Sequence, residues 1–317
     1  MQRRQRETVH VGREGWLFLI GGTNRVIEQY RSTWTWWWLL RGWTRRIEAR
    51  AARARGLGIR YLHVVVPEKL SVYDDRTDGL RYDWRKSPAR RLARRLADSA
   101  AFVDLVGPMR AARDGPEPLY YLTDTHWTHE GCFLAYRNLM RACGAVVPPD
   151  LADRPRFDSE RVRDLGEKVP ARPSERTSLA LIARDAVRSH ANTLVDAYEA
   201  ADRAAYLHRG AHVVFRNESP AVDPRTLVLF GDSYAHFAPI MLTGLLAESF
   251  REVHFVWSAS LDWNYVEKVR PDLLVTEIAE RFMVRIPDDR YDVASHGAPE
   301  DPADLDGLPP LAISGTV

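Results

Sequence analysis

The chain has 317 residues, which is enough for one large α/β domain or two smaller ones around a sizeable core. Its 45 Lys and Arg residues nearly balance its 43 Asp and Glu residues, and a net charge of +2 gives no electrostatic argument for nucleic acid as a partner. Dinucleotide-binding and P-loop glycine motifs are absent from the sequence, and we predict no cofactor.

The first residues are basic, but no apolar run of the kind found in secretory signals follows them. The most apolar stretch, residues 34–40, is far shorter than the ~20 residues that cross a bilayer, so we predict no transmembrane segment. Cys132 and Cys143 fall in a predicted helix roughly 16 Å apart along its axis, too far for a disulfide. Free buried thiols and the missing signal predict a cytoplasmic protein.

The first third of the chain alternates predicted helices and strands. The patterns predict a hairpin at residues 9–20, a helix at 33–55 ended by Gly56 and Gly58, a strand at 59–66, a helix at 89–97 and a strand at 102–105. Short connections between alternating elements are typical of a doubly wound, mostly parallel α/β sheet.

Four tryptophans, at positions 34, 36, 37 and 38, open the first helix. They could stack on a glycan, but consecutive helical residues point in different directions, so we expect at most two on one face. Bulky aromatic side chains dominate cores and interfaces, and we therefore favour packing there over glycan binding.

The rest of the chain repeats the alternation around a different middle segment. The sequence predicts a helix at 128–142 capped by Thr128, and then a Pro- and Arg-rich insert at about 147–220 with a helix within 178–206. After the insert it predicts strands at 227–230, 252–257 and 271–278 and helices at 238–247 and 266–270. Residues 287–317 are predicted to form an irregular tail.

Gly231-Asp232-Ser233 follows the buried strand at 227–230. Glycine permits a sharp turn, and Ser233 would lie just past the carboxyl end of the strand, where open α/β sheets bind their ligands. The same three residues are also common in ordinary turns. A nucleophilic serine therefore requires a base elsewhere in the chain.

Among ten histidines, only His126 has a carboxylate two residues away at a strand-to-helix junction, that of Asp124. A serine hydroxyl needs an imidazole to take its proton and a carboxylate to orient the imidazole, so Asp124, His126 and Ser233 form the simplest triad. His63, His236 and His254 are rival bases, and His236 is the strongest of them because it follows Ser233 by three residues.

A metal site is not predicted. His126, His129 and Glu130 do not form a helical His-x-x-x-His set, and no other cluster with ligand spacing occurs in the sequence.

Asp124-Thr125-His126-Trp127, followed far downstream by Gly231-Asp232-Ser233-Tyr234, resembles the SGNH hydrolase-like domain of AlgX/AlgJ-type polysaccharide O-acetyltransferases. Further motifs that resemble the family occur in the same order: Gly12-Arg13-Glu14-Gly15-Trp16-Leu17-Phe18, Val66-Pro67-Glu68-Lys69, Asp164-Leu165-Gly166, Pro271-Asp272 and Glu280-Arg281-Phe282. The resemblance implies a single SGNH hydrolase-like domain over residues 9–286, with a permuted motif order and the insert at about 147–220.

The resemblance also implies a mechanism. Ser233 would be the nucleophile, His126 the general base and Asp124 its orienter, and an acetyl group would pass through a serine ester to a sugar hydroxyl. The implied partners are a carbohydrate acceptor and an acetyl donor, which a membrane-bound acyl-donating protein could supply. Family members act in the periplasm or cell envelope, in contrast to the cytoplasmic location predicted from the missing signal.

The oxyanion donors of the fold are not evident from motifs. The backbone N–H of Ser233 and groups in residues 258–264 are candidates. Candidate oxyanion or substrate contacts are Tyr234, Trp127, Lys69, Asn264 and Arg281.

Two other functions remain open at the level of sequence. A carbohydrate or small-ester esterase would use the same triad with water in place of the sugar hydroxyl. A noncatalytic glycan-binding protein would use the tryptophans at positions 34, 36–38, 84 and 127, since a fold can persist without its chemistry.

Overall fold

The computed structural model describes residues 8–207, 209–238 and 240–296. Its strands are β1 (Val9–Val11), β2 (Leu17–Leu19), β3 (Arg60–Val66), β4 (Phe102–Val103), β5 (Arg156–Val162), β6 (Ser174–Ala180), β7 (Val187–Ala191), β8 (His212–Arg216), β9 (Asp223–Gly231), β10 (Phe250–Trp257) and β11 (Leu273–Ala279). Its α-helices are α1 (Trp34–Gly56), α2 (Lys69–Val72), α3 (Pro88–Arg95), α4 (Val106–Ala112), α5 (His129–Cys143), α6 (Thr193–Ala200), α7 (Leu242–Ala247) and α8 (Trp263–Val269).

A central seven-stranded sheet has the order β4-β3-β11-β9-β10-β8-β7. The first five strands are mutually parallel, and β8 and β7 add an antiparallel edge. This architecture confirms the prediction of an α/β fold with a mostly parallel sheet. Antiparallel edge strands on a parallel sheet are common in folds of this type.

The central strands contain runs of buried apolar residues because both faces of the sheet are covered. Leu229 and Val275 face one hydrophobic core, and Val228 and Leu274 face the other. All four side chains are fully buried. The unbroken apolar runs in the sequence therefore reflect burial on two sides.

The structure of the middle segment, residues 147–220, differs from the prediction of a helix within residues 178–206. The latter range contains the end of the antiparallel hairpin β5–β6, then β7, and only then the short helix α6. β7 and β8 of this segment belong to the central sheet, whereas β5 and β6 form a separate two-stranded sheet. The alternating exposed and half-buried residues of β5 carry many charges, which conceals the strand pattern in the sequence.

The described part of the predicted tail, residues 287–296, has no helix or strand but is partly buried. Asp289 accepts hydrogen bonds from Arg46 and Arg50 of α1 and from the backbone N–H of Leu261. The Tyr291 side chain also lies in the core. The remainder of the predicted tail lies outside the described residues.

Parallel strands bring their carboxyl ends to one edge of the sheet. β3, β9, β10 and β11 all end there, and the segments that follow them begin at Pro67, Asp232, Ser258 and Glu280. Among the described residues, every helix is too short or too polar to span a bilayer.

Candidate active site

The turn after β9 is organised by the side chain of Asp232. One carboxylate oxygen accepts the backbone N–H of Tyr234 (2.9 Å), and the other accepts the N–H of Ala279 at the end of β11 (2.7 Å). A side chain on Gly231 would lie 2.9 Å from Glu277 Oε2 and 2.8 Å from Ala235 Cβ. Glycine is therefore required by the close approach of β11, and Ser233 follows at a fixed position.

The second segment of the site precedes α5. Thr128 caps this helix, as the sequence predicts, by accepting the backbone N–H of Gly131 (3.3 Å). Tyr120 and Trp127 form an isolated antiparallel bridge that closes the preceding loop. Within it, Asp124 Oδ1 accepts the backbone N–H of His126 (2.9 Å), which brings the carboxylate beside the imidazole ring.

The two segments meet in an unbroken chain of hydrogen bonds. His126 Nδ1 donates to Asp124 Oδ1 (2.7 Å), because a carboxylate can only accept. This leaves His126 Nε2 as the acceptor for the Ser233 hydroxyl, whose Oγ lies 2.8 Å away. Ser233 and His126 are half-buried and Asp124 is buried, so the hydroxyl is accessible while the carboxylate is shielded.

Burial alone would raise the pKa of Asp124, but the charge of His126 and its hydrogen bonds outweigh it and hold this pKa below the usual range. Burial would lower the pKa of His126, and the Asp124 carboxylate reverses this and raises the pKa. The pair therefore favours an ionised aspartate and stabilises the imidazolium form, as proton transfer from a serine requires.

Asp164 and Arg163 extend the site in a way that the triad pattern does not reveal. Asp164 accepts the backbone N–H (2.8 Å) and hydroxyl (2.7 Å) of Thr125. The Arg163 guanidinium lies 3.9 Å from Asp124 Oδ2 and 3.6 Å from the centre of the Tyr121 ring. The Asp164-Leu165-Gly166 motif was the only sequence signal for this part of the site.

Asp124, His126 and Asp164 offer ligand atoms that all lie within 4.8 Å of one another, which is close enough for a metal ion. The His126 nitrogen nearest the carboxylates is already bonded to Asp124, and both Asp164 oxygens are occupied by Thr125. A cation would have to displace these bonds. The donor set is thus better suited to orienting an imidazole than to holding a metal.

The three rival histidines have other partners. His236 Nδ1 accepts the backbone N–H of Ala238 (2.8 Å), and the ring stacks on Phe237. His63 lies 2.7 Å from the Thr276 hydroxyl, and His254 contacts Glu252 at 2.7 Å. The imidazole that the structure brings to Ser233 is that of His126.

Two of the candidate substrate contacts lie inside the protein. Lys69 donates to the backbone carbonyls of Leu17 (2.8 Å), Tyr121 (2.6 Å) and Leu122 (3.0 Å), which uses all three of its protons. Burial lowers the pKa of Lys69 to about 8. Arg281 is buried against the Glu68 carboxylate (2.9 Å). Both cations are therefore bonded to neighbouring segments of the protein.

Tyr234 and Trp127 are also buried. The Tyr234 hydroxyl donates to the backbone carbonyl of Thr125 (2.5 Å), so its proton is not available to an oxyanion. Its ring packs against His126, and Trp127 packs edge-on against the same ring at 5.1 Å. Asn264 is exposed in the first turn of α8 and makes no hydrogen bond with the triad within the described ranges.

A cleft of about 510 Å³ opens beside the serine turn. Gly231 and Asp232 form part of its wall, whereas the side chains of Asp124, His126 and Ser233 lie next to it and do not line it. The loop after β10 contributes Ser258 and Ser260, and the segment after β11 contributes Ile286. The other lining residues are Asn24, Arg209, Trp257, Ala259, Ile278, Phe282, Val284, Arg285, Pro287, Asp288, Arg290, Tyr291 and His296. Asn24, which carries an amide side chain, also lines this wall and was not singled out in the sequence.

A family model described as "SGNH hydrolase-like domain, acetyltransferase AlgX" matches residues 9–261. The chain belongs to this family. Membership confirms the resemblance found in the sequence motifs and agrees with the SGNH-like α/β architecture. The AlgX-type family is a family of acetyltransferases, and its model spans both segments of the site.

The sequences of individual relatives are only weakly similar to this chain. The "Probable alginate O-acetylase AlgJ" of Pseudomonas fluorescens is 25% identical over 152 residues, which cover 45% of this chain and 35% of the relative. The match thus spans about a third of the relative's length.

Solved structures share the fold. The O-acetyltransferase domain of Pseudomonas putida AlgJ has a TM-score of 0.55 at 16% identity, with 91% of this chain and 98% of that one covered. Bacillus cereus PatB1, solved with a sulfonyl adduct, has a TM-score of 0.56 at 14% identity, with 87% and 96% covered.

Proposed function

We propose that the protein is a serine-dependent O-acetyltransferase that acts on a carbohydrate hydroxyl through an acyl-serine intermediate. The observation that carries this proposal is the continuous Asp124–His126–Ser233 hydrogen-bond chain beside an open cleft. Membership of the AlgX acetyltransferase family supports the choice of acetyl transfer.

In the first half-reaction, Ser233 Oγ attacks the carbonyl carbon of the acetyl donor while His126 Nε2 takes the hydroxyl proton. The tetrahedral intermediate collapses, the donor's leaving group receives that proton from His126, and the acetyl group remains on Ser233. In the second half-reaction His126 takes the proton of a sugar hydroxyl as its oxygen attacks the acetyl carbon. The sugar ester leaves, and the proton returns to Ser233 Oγ.

The negative oxygen of each intermediate needs a hydrogen-bond donor. The backbone N–H of Ser233 has no acceptor in the part of the chain that the structure describes. We assign it as one oxyanion donor, and the Asn24 amide on the cleft wall is the candidate for a second.

The remaining parts of the proposal concern partners and location. The acceptor is a carbohydrate, and the acetyl donor can be a membrane-bound acyl-donating protein, so the site of action is the cell envelope. The relative named as an alginate O-acetylase supports a polysaccharide as the acceptor class.

Covalent labelling tests the nucleophile. Phenylmethylsulfonyl fluoride should modify the wild-type protein once, and the Ser233→Ala variant should show no mass increase. Ser189→Ala, an exposed serine on β7, is the matched control and should label like the wild type. Undiminished labelling of Ser233→Ala would refute the assignment of the nucleophile.

A donor-and-acceptor assay separates transfer from hydrolysis. With p-nitrophenyl acetate as donor, a polysaccharide acceptor should gain acetyl esters in the wild type but not in Ser233→Ala. Release of acetate at the same rate with and without the polysaccharide, with no ester on the glycan, would favour an esterase over a transferase.

A further inference from the structure

Three tryptophans form an exposed cluster at the start of α1, which we call the tryptophan platform: Trp34, Trp37 and Trp38. They are 70%, 38% and 52% exposed. The rings of Trp34 and Trp37 stack at 5.0 Å with an angle of 9° between their planes, and Trp38 meets both edge-on. The expectation that at most two of these tryptophans share one side was wrong, because i, i+3 and i+4 positions are neighbours on a helix.

The fourth tryptophan behaves as expected for a core residue. Trp36 is buried, and the guanidinium of Arg91 lies 5.2 Å from its ring centre. It faces the protein while the platform faces away, so packing within the core accounts for Trp36 but not for the three exposed tryptophans.

The platform lies at the same edge of the sheet as the candidate active site. Contacts between the first half of α1 and the segment that follows β11 include the hydrogen bond from Trp43 Nε1 to the carbonyl of Met283 (2.8 Å) and the packing of Gly42 against Ile286. Ile286 lines the cleft. Counting back along the helix from Gly42, Trp38 is about 6 Å and Trp34 about 12 Å away. The platform therefore continues outward from the cleft wall.

The surroundings of the platform are polar. Thr33 and Thr35 are exposed beside it, and the exposed Arg41 lies over the Trp37 ring at 5.2 Å. A helix that lies in a bilayer surface presents a long apolar face built from Trp, Phe and Leu. Within the described residues of α1, no exposed Leu or Phe lies next to the platform.

We propose that the tryptophan platform is an accessory sugar-binding subsite for a polymeric glycan acceptor, which extends from the cleft along the first turns of α1. The negative faces of the indole rings attract the C–H faces of sugar rings, and the Arg41 guanidinium can donate to sugar hydroxyl or carboxylate oxygens. This inference rests on the proposed function, because it assigns to the same site an acceptor several sugar residues long.

Binding measurements with oligosaccharides of defined length test the subsite. The probes are oligomannuronates and chito-oligosaccharides of two to twelve sugars, followed by tryptophan fluorescence and calorimetry. The affinity of at least one series should increase with length in the wild type. The Trp34→Ala/Trp38→Ala variant should bind the long members about tenfold more weakly and lose the length dependence.

The matched control is Leu57→Ala, an exposed apolar residue just beyond the opposite end of α1. It should bind like the wild type. Hydrolysis of p-nitrophenyl acetate should be the same in all three proteins, because the platform does not contact Ser233. Failure of this hydrolysis in the wild type would count against the proposed function alone, since oligosaccharide binding is measured separately.

Two results would overturn the subsite. One is equal binding of every oligosaccharide by the wild type and the platform variant. The other is cosedimentation of the wild type, but not the variant, with phosphatidylglycerol vesicles, which would make the platform a membrane-docking surface.

Discussion

The pair formed by Asp124 and His126 sets the pH at which the candidate site can work. A general base must be neutral, so the rate of catalysis decreases as the pH drops below the pKa of His126. Since the Asp124 carboxylate raises this pKa, the acid limb of the pH profile lies higher than it would for an isolated buried imidazole.

Asp124→Asn should therefore change both the rate and the pH profile. The amide keeps the shape of the side chain but favours the wrong imidazole tautomer, and we expect kcat for acetyl-ester turnover to fall by about 10²–10⁴. The residual activity should have its acid limb at a lower pH, because the charge that raises the His126 pKa is gone. A limb that stays in place or moves upward would contradict this account.

Glu277 is a buried carboxyl group that we expect to be neutral. Burial and the charge of Asp232 raise its pKa well above the usual value, and its Oε2 accepts the backbone N–H of Asp232 (3.0 Å). A neutral acceptor is sufficient for this bond. We therefore expect Glu277 to support the serine turn as a neutral hydrogen-bond acceptor.

Glu277→Gln should accordingly be tolerated, with kcat close to that of the wild type. Glu277→Ala should lower the free energy of unfolding by about 1–3 kcal/mol, because the N–H of Asp232 loses its acceptor inside the protein. Urea unfolding and ester turnover of both variants provide the measurement. If the glutamine variant were as impaired as the alanine variant, a charged role would be indicated.

The sign of the pH effect gives a second check on Glu277. The folded protein holds this proton at pH values where the unfolded chain, with a glutamate pKa of about 4.3, has lost it. This group therefore makes stability decrease as pH rises above about 4.3 toward the raised pKa. The decrease should be smaller in Glu277→Gln than in the wild type.

The three residues of the triad could be found in the sequence because each adjoins a recognisable element. Ser233 follows an unbroken apolar strand, and Asp124 and His126 precede a capped helix. Asp164 reaches Thr125 from 39 residues away in a segment without periodicity, so no local pattern predicts that contact. Lys69 and Arg281 looked available to substrate because a sequence does not show which long cations are buried beside carbonyls and carboxylates.

Among the elements, α5 bears directly on the site because the His126 segment immediately precedes its first turn. Thr128 both accepts the N–H of Gly131 and donates its hydroxyl proton to the carbonyl of Pro118 (2.6 Å). The same side chain therefore begins the helix and closes the loop that bears the base.

Thr128→Ala should lower the free energy of unfolding by about 1–2 kcal/mol. The comparison variant is Thr33→Ala at the start of α1, where an exposed threonine makes one capping bond (3.3 Å) and we expect a smaller loss. Urea unfolding of the two variants measures the difference. An equal or larger loss in Thr33→Ala would show that the Pro118 bond contributes nothing.

At the level of elements, burial decided what the sequence could reveal. β9 and β11 are covered on both sides and appear as apolar runs, and α1 and α5 begin with good capping residues. β7 is exposed along most of its length, so its residues carry little apolar signal. Its position is determined by pairing with β8, which is a contact across the fold.

Over the whole molecule, Asp289 connects α1, the loop after β10 and the segment after β11. It accepts hydrogen bonds from Arg50 of α1 and from Leu261 after β10, and it belongs to the segment after β11. Arg50 is nearly inaccessible to solvent and also donates to the Ala259 carbonyl (2.9 Å). Removal of one partner would leave a buried charge without compensation.

Asp289→Asn should lower the free energy of unfolding by about 3–5 kcal/mol, because Arg50 would remain buried without its counter-ion. Asp158→Asn breaks the solvent-exposed pair with Arg176 and should lower the free energy of unfolding far less, because solvent screens that pair. Chemical unfolding of both variants tests this difference. Similar decreases in the free energy of unfolding would mean that the buried pair stabilises the fold no more than the exposed one.

The residues of the triad lie far apart along the chain, and this has a consequence for folding. Ser233 and His126 are separated by 107 positions, and the serine turn is held by an N–H at the end of β11. Neither segment can acquire its partner until the centre of the sheet is complete, and contacts between distant residues form slowly. Reactivity of Ser233 thus reports the last step of folding. A refolding chain should regain its helical circular-dichroism signal before Ser233 can be labelled by phenylmethylsulfonyl fluoride.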